Sequence, residues 1–214
     1  MSYRLLMPFS ADDFYEHAMT AADIDGRMSL SRMTGWEVFP FESDGLRVVP
    51  LAKPVLPESP RYGEDGVNCQ GCEGESGVLW SDSNWKLRAT RESSGAPFVL
   101  ILEPKLHYDL IDLPDYLAAE MGVLVVHIAR AIEALPHIAR AHVYRVGDGG
   151  AHLHIFFFAR PAGFSQLRGS CFVLWDDLLP EIPLEQRDAD ALEVATSLVK
   201  SYGGALTTTA QSDS

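Results

Sequence analysis

The stretch from Gly147 to Pro161, Gly-Asp-Gly-Gly-Ala-His-Leu-His-Ile-Phe-Phe-Phe-Ala-Arg-Pro, constrains this chain more than any other part of it. A glycine-rich turn opens into a run dense in aromatic and β-branched residues and closed by proline, which reads as a buried strand. Side chains alternate along a strand, so His152, His154, Phe156 and Phe158 share one face, while Leu153, Ile155 and Phe157 share the other. Two imidazoles on an otherwise apolar strand each require a partner, because a buried polar group left unpaired costs about 1–3 kcal/mol.

A chain of 214 residues, 47% of them hydrophobic, can bury one substantial core and fits one main domain with an elaborated arm. The boundaries read from the text are an N-terminal extension and proline-rich wrapping arm over 1–66, the domain proper over 67–203, and a flexible tail over 204–214. A net charge of −13 argues against non-specific binding to nucleic acid or to an anionic membrane, both of which need a basic surface. No stretch reaches the roughly 18 apolar residues of a membrane span, and the N-terminus lacks a signal-like apolar segment, so a cytoplasmic location is expected. The cysteine count is odd, and Cys69 and Cys72 form a Cys-x-x-Cys pair, which reads as a metal or redox pair rather than a disulfide framework.

Taken in order, Asp12 to His17 begins a short acidic helix. Glu37–Glu42 and Leu46–Pro50 read as two short β-like pieces, and prolines at 50, 54, 57 and 60 then force an extended arm. Val78–Trp80 and Trp85–Ala89 read as a hairpin, and Pro97–Leu102 as the apolar strand at the sheet centre. Asp112-Leu113-Pro114 opens the strongest helix, with Leu117, Met121, Leu124, Ile128, Ile132 and Leu135 at steps of three and four, stopped by Pro136. Ala141–Val146 is a strand leading into the glycine turn, Arg168–Pro180 an irregular aromatic segment, and Leu184–Tyr202 a second helix. The plan is α+β.

Zinc favours thiolate and imidazole ligands, and a Cys-x-x-Cys turn supplies two of the four. His107, where the central strand ends, and His152, where the next strand of the motif begins, complete a Cys₂His₂ set with Cys69 and Cys72. The plainer reading stands beside it: the Cys pair is a simple turn and His107 caps a strand end. Trp80, Trp85 and Trp175 are core residues before they are base-stacking ones, and Cys171 is a small buried hydrophobe. His127 lies beside the apolar stripe of the long helix and reads as a packing residue. Arg61, Glu64 and Arg168 are candidates to line a phosphate pocket, with surface ion pairs the commoner fate.

The order Cys-x-x-Cys, a strand ending Pro-Lys-x-His, a helix, and His-x-His on a strand closing in Arg and Pro resembles the histidine-triad superfamily, including its galactose-1-phosphate uridylyltransferase branch, over about Asn68 to Pro161. The resemblance implies an antiparallel sheet with a long helix packed on it. It implies a structural zinc on Cys69, Cys72, His107 and His152, and His154 as the nucleophile that attacks phosphorus. It further implies a phosphate cradle from the N–H groups of Gly149 and Gly150, with Phe156, Arg160 and Arg168 on the substrate side. The third triad position, histidine or glutamine in the branches of the family, is Phe156 here, which cannot donate to a phosphate. The residue that holds the ribose in many members falls near Thr90 or Arg91, and neither is an acid.

Two functions follow. One is a nucleotidyl or phosphoryl hydrolase or transferase acting through His154 on a nucleotide or other phosphorylated small molecule. The other is a zinc-stabilised, catalytically degenerate domain that binds a ligand or protein. Val123, Val125 and Val126 lie off the main apolar line of the long helix and imply a further layer over it, either a second copy in a homodimer or another part of this chain.

Overall fold

A computed structural model describes residues 11–74 and 76–207. The chain divides into two compact units, residues 1–59 and 60–214. In the first, helix α1 (Ala11–Met19) carries Asp12 and Asp13 in its first turn, where carboxylates suit the positive end of the helix dipole. The Asp23 carboxylate accepts from the N–H groups of Asp25 and Arg27 in the turn that follows, and the Arg27 guanidinium donates to the Val48 carbonyl at 2.9 Å. The two β-like pieces expected at Glu37–Glu42 and Leu46–Pro50 are not strands. Their backbone makes turn bonds, from Phe39 N–H to the Trp36 carbonyl and from Leu46 N–H to that of Ser43, and Pro40 and Pro50 offer no donor for a ladder.

The second unit is α+β. Its strands are β1 (Val78–Ser81), β2 (Trp85–Ala89), β3 (Val99–Pro104), β4 (Ile138–Tyr144), β5 (Ile155–Pro161) and β6 (Ala205–Leu206). They form a six-stranded sheet in the order β4-β5-β3-β2-β1-β6, antiparallel throughout. Strand β3, every residue of which is buried, lies inside the sheet as its unbroken apolar text requires. Helix α2 (Gln70–Glu73) is a single turn, α3 (Asp115–Glu133) is the long helix, and α4 (Phe172–Leu178) and α5 (Leu184–Ser201) follow. The helix α3 starts on Pro114 rather than on a capping Asp112, which sits in the preceding 3-10 turn, Leu110–Asp112. The aromatic segment expected to be irregular holds α4, which packs Phe172 inward. Part of the expected tail is ordered pairing: Ala205 and Leu206 bond to β1, and Thr207 N–H donates to the Leu79 carbonyl. Beyond Thr207 the tail lies outside the described residues.

Pleating gives the sheet two different faces. Leu87, Leu100, Leu102, Ile155 and Phe157 point to one, where Leu117, Leu124, Ile128 and Ile132 of α3 and Ala191, Val194, Ala195 and Leu198 of α5 close over them in a single core. The opposite residues, Val99 with Phe156 and Phe158, meet Leu167, Phe172 and Trp175 in a smaller cluster. That second cluster covers only part of the face. Further along the same strands stand Lys86, Arg88, Ile101 and Glu103. The core reading of Trp80, Trp85 and Cys171 holds, since all three are fully buried. His127 meets α5, its Nδ1 3.2 Å from the Ser201 hydroxyl, and Val125 packs against the core while Val123 and Val126 stay exposed. No helix among the described residues is long and apolar enough to cross a membrane. Leu102 is wholly enclosed between sheet and helices, so Leu102→Ala should lower unfolding stability by about 2–5 kcal/mol in a urea titration.

Candidate metal and phosphate site

The cysteine pair sits against the charged end of this face, over the buried Lys86. Asn68 takes a positive φ of 55°, turning the chain so that the Cys69 carbonyl accepts from the N–H groups of both Cys72 and Glu73. One tight turn thereby puts both sulfurs on the same side. The Lys86 ammonium, buried on β2, donates to the carbonyls of Gly71 and Gly74 at 2.5 and 3.1 Å and ties this turn to the sheet. Gly71 is required for close approach: a Cβ there would lie 2.5 Å from Cγ of the His152 ring.

The histidines arrive from the neighbouring segment. Leu153 N–H donates to the Tyr108 carbonyl at 2.7 Å, so the chain after β3 runs beside the chain entering β5, bringing His107 next to His152. Nε2 of His152 lies 2.8 Å from the Pro104 carbonyl. A carbonyl only accepts, so Nε2 carries the proton and Nδ1 holds a lone pair. That Nδ1 is 3.5 Å from each of the two sulfurs, and Nδ1 of His107 is 3.3 Å from Sγ of Cys72. All four donor atoms lie within 4.8 Å of one another. A tetrahedral zinc with bonds of about 2.3 Å to sulfur and about 2.0–2.1 Å to nitrogen spaces its S and N donors about 3.5 Å apart, so the set fits such an ion. Burial holds the His152 imidazole below its ordinary pKa, which favours the neutral, ligating form. Desolvation of its sulfur, followed by the neighbouring Cys69 thiol, pushes the Cys72 thiol up to about 11, as expected for two thiols packed together.

Beside this cluster is a cavity of about 370 Å³ lined by His152, His154, Gly149, Gly150, Phe156, Ile101, Arg88 and Glu103, with Tyr62 and the cysteine turn at its edge. His152 and His154 precede β5 instead of lying in it, yet the alternation holds: Leu153 is buried in the main core while both imidazoles face the cavity. His154 is half-buried, and its Nδ1 lies 2.7 Å from the His152 carbonyl. The same logic therefore protonates Nδ1 and leaves the lone pair on Nε2. The glycine turn is held by a bridge to Tyr62, with Tyr62 N–H donating to the Gly149 carbonyl and Ala151 N–H to that of Tyr62. A Cβ on Gly150 would stand 4.0 Å from Cε1 of His154, which places that backbone against the ring.

Other sequence candidates lie apart. Arg160 is six residues beyond His154, about 20 Å along an extended chain, and donates to the Phe164 carbonyl. Arg168 precedes the 3-10 turn Gly169–Cys171 and does not line this cavity either. Thr90 and Arg91 line different cavities. Arg61 and Glu64 form an ion pair at 2.8 Å. The cavity residues that sequence reading passed over are Arg88 and Glu103. Their signal was a pair of charges, Lys86 and Arg88, alternating with Trp85 and Leu87, and a third, Glu103, ending an apolar run.

No family model matches the sequence, and comparison with curated proteins finds no match. Solved structures do resemble it. A zinc-bound histidine triad family protein from Mycobacterium smegmatis is 18% identical over 62% of this chain and 94% of that one, with a TM-score of 0.46. A hypothetical histidine triad nucleotide-binding protein from Sulfolobus tokodaii is 16% identical over 63% and 97%, with a TM-score of 0.48. A uridylyltransferase is 17% identical over 65% of this chain and 48% of its own, with a TM-score of 0.45.

The loop carrying the glycines is fastened from below by Asp109. Its carboxylate accepts from Arg61 at 2.6 Å and from Arg145 at 2.5 Å, and Arg61 also donates to the Gly147 carbonyl. Desolvation alone would raise the Asp109 carboxyl, but the hydrogen bonds from Arg61 and the Leu110 N–H, with both guanidinium charges, hold it below the usual range. Its stabilising contribution is thus complete above the ordinary carboxylate value of about 4 and is lost as pH falls through the lower folded value. Asp109→Asn should be less stable than the parent at pH 7, and the gap should narrow below about pH 4, as read from urea midpoints at both pH values.

Proposed function

We propose that this protein is a histidine-triad-like nucleotidyl or phosphoryl transferase or hydrolase, with His154 as nucleophile and a structural zinc on Cys69, Cys72, His107 and His152. The observation that carries the reading is the hydrogen bond from Nδ1 of His154 to the His152 carbonyl. It fixes the tautomer and leaves the Nε2 lone pair on a ring that lines a cavity beside two glycines. In the proposed step an N–P bond forms from Nε2 as the P–O bond to the leaving group breaks, that oxygen departing with the electron pair. An acceptor oxygen, of water or of a second substrate, then attacks phosphorus. The N–P bond breaks with its electrons returning to Nε2, and the proton the acceptor loses balances the one the leaving group gains. The N–H groups of Gly149 and Gly150 make no hydrogen bond among the described residues, which supports their use on phosphate oxygens.

Zinc held by four protein ligands has no position open to water, so its contribution would be to folding and to the placement of His152. Because Gly71 admits the His152 ring, the site also fixes the segment from which His154 follows. The rival reading, a binding domain without catalysis, draws on Phe156, whose ring stands edge-on to His154 at 5.2 Å where the resemblance would put a donor. A homodimer remains part of the proposal through the exposed Val123 and Val126; light scattering that returns a monomer at micromolar concentration discards it.

Protein purified without chelator should contain one zinc per chain, and Cys72→Ser or prolonged chelation should remove it and lower the melting temperature. An absence of zinc by metal analysis would overturn that half of the reading. For the chemistry, incubation with a panel of nucleotides and nucleotide sugars followed by intact-mass measurement should detect an adduct that His154→Ala abolishes. That variant should keep zinc content and melting temperature nearly unchanged, while His152→Ala should damage both. Turnover that survives His154→Ala would sink the nucleophile assignment. Phe156→Gln should raise residual transfer if the phenyl ring only withholds a donor.

A further inference from the structure

A phosphate attacked by His154 needs donors for its oxygens, and the residue that the resemblance puts there gives none. Phe156 stands edge-on to the imidazole at 5.2 Å, with no polar atom in its side chain. The same row of the sheet carries a donor two strands away. Arg88 pairs with Ile101, and Ile101 with Phe156, across β2, β3 and β5. Cross-strand partners share a face, and all three line the cavity that His154 lines.

The guanidinium leaves that row in the direction of His154. Its Nη2 donates to Oε1 of Glu103 at 2.9 Å, and Glu103 stands beside His154, one step beyond the Leu102–Ile155 pair. Glu103 is 3% exposed and so anchors the arginine at a fixed place on the cavity floor. Nη2 is thereby committed, and Nε is buried. Nη1 donates to nothing among the described residues and is not one of the buried unpaired atoms, on a side chain that keeps 18% of its surface exposed. The charge there suits an anion. Glu103 is the only carboxylate among the lining residues, and it faces two cations, Arg88 and the Lys86 ammonium at 3.9 Å. Lys86 is committed to the carbonyls of Gly71 and Gly74 and does not line the cavity, which leaves Arg88 as the cation that a ligand meets.

We propose that Arg88 supplies the donor that Phe156 lacks, its Nη1 bonding a non-bridging oxygen of the phosphorus that His154 attacks, with Glu103 as the positioning residue that holds the guanidinium there. The inference rests on the phosphate-transfer reading of the cavity and adds to it a catalytic residue delivered by β2 instead of β5. Those oxygens carry the negative charge of the reacting group, and a fixed guanidinium answers it with both charge and a hydrogen bond. Arginine stays protonated throughout. The bonds made and broken at phosphorus, and the proton that the acceptor loses and the leaving group gains, are therefore unchanged.

The test is the rate at which His154 is labelled, read by intact mass on the zinc-loaded full chain with two probes, uridine diphosphate glucose and the p-nitrophenyl ester of thymidine 5′-monophosphate. Arg88→Met should slow labelling about a hundredfold, the usual cost of removing one donor from a developing charge. Arg88→Lys keeps the charge and the pairing with Glu103 but not the forked donor, and should lose about tenfold. Phe156→Gln should then recover about tenfold in the Arg88→Met background and less than about threefold in the parent, because only the first lacks a donor. Glu103→Leu should be slowed, and rescued by Phe156→Gln, in the same way. A donor on another strand would rescue neither residue if its role were only structural. Labelling of a folded, zinc-bearing Arg88→Met protein at the parent rate would overturn the inference, and so would a loss that Phe156→Gln leaves unrepaired. If Arg88→Met does not fold, Arg88→Lys decides: a loss repaired by Phe156→Gln supports the inference, and a parent rate overturns it. If the parent is labelled at His154 while Arg88 makes no difference, only the assignment of Arg88 falls. If neither probe labels His154, the phosphate-transfer reading falls with it.

Discussion

The pleat of β2, β3 and β5 is the constraint from which the rest of the second unit follows. Alternate side chains on these strands go to opposite faces, and both faces are enclosed along much of their length. On one, Leu87, Leu102 and Phe157 are sealed by α3 and α5. On the other, the residues one step out of phase are Lys86, Arg88, Glu103 and Phe156. A shift of one residue in register would exchange the two sets, driving three charges into the main core and exposing its leucines. The apolar face thus fixes the position of every polar group on the opposite one.

Those charges have structural uses before any functional one. Lys86 is buried because two carbonyls of the cysteine turn receive its protons, and that turn could not lie against the sheet without such a donor. Gly71 then admits the His152 ring, and the Pro104 carbonyl orients it. The donor set comes from three separate segments, each anchored to a different strand, and its geometry depends on all of them. The carbonyl of His152 in turn sets the tautomer of His154, so the cysteine–histidine cluster and His154 are coupled through one residue. On the far side of the cavity, Arg61 and Arg145 converge on Asp109 and fasten the glycine loop over His154.

Much of this was legible in the sequence for local reasons. The hairpin, the apolar strand, the long helix and the second helix have periodic patterns that a single window captures, as the boundaries of β1, β2, β3, α3 and α5 attest. The face-sharing of His152, His154 and Phe156 also followed from period two, even where the regular strand begins only at Ile155. Failures came where local text was ambiguous. Glu37–Glu42 has strand composition but no partner strand among the described residues, and composition cannot supply one. Ala205 and Leu206 are too short to read as a strand, and become one because β1 presents an open edge.

The sequence by itself determined the α+β plan, the alternation of the two sheet faces and the presence of two thiols and several imidazoles at suggestive spacings, because each depends on residues near one another in the chain. Tertiary structure alone decided which of the charged residues share a cavity. Arg61, Arg160 and Arg168 are equivalent as text, but the first is bound to Asp109 and Glu64 and the other two stand away from His154. Arg88 and Glu103, 15 residues apart and unremarked in sequence, come together because β2 and β3 pair antiparallel in one particular register. Register is set by the burial of the opposite face, a property of the whole sheet that no single segment carries.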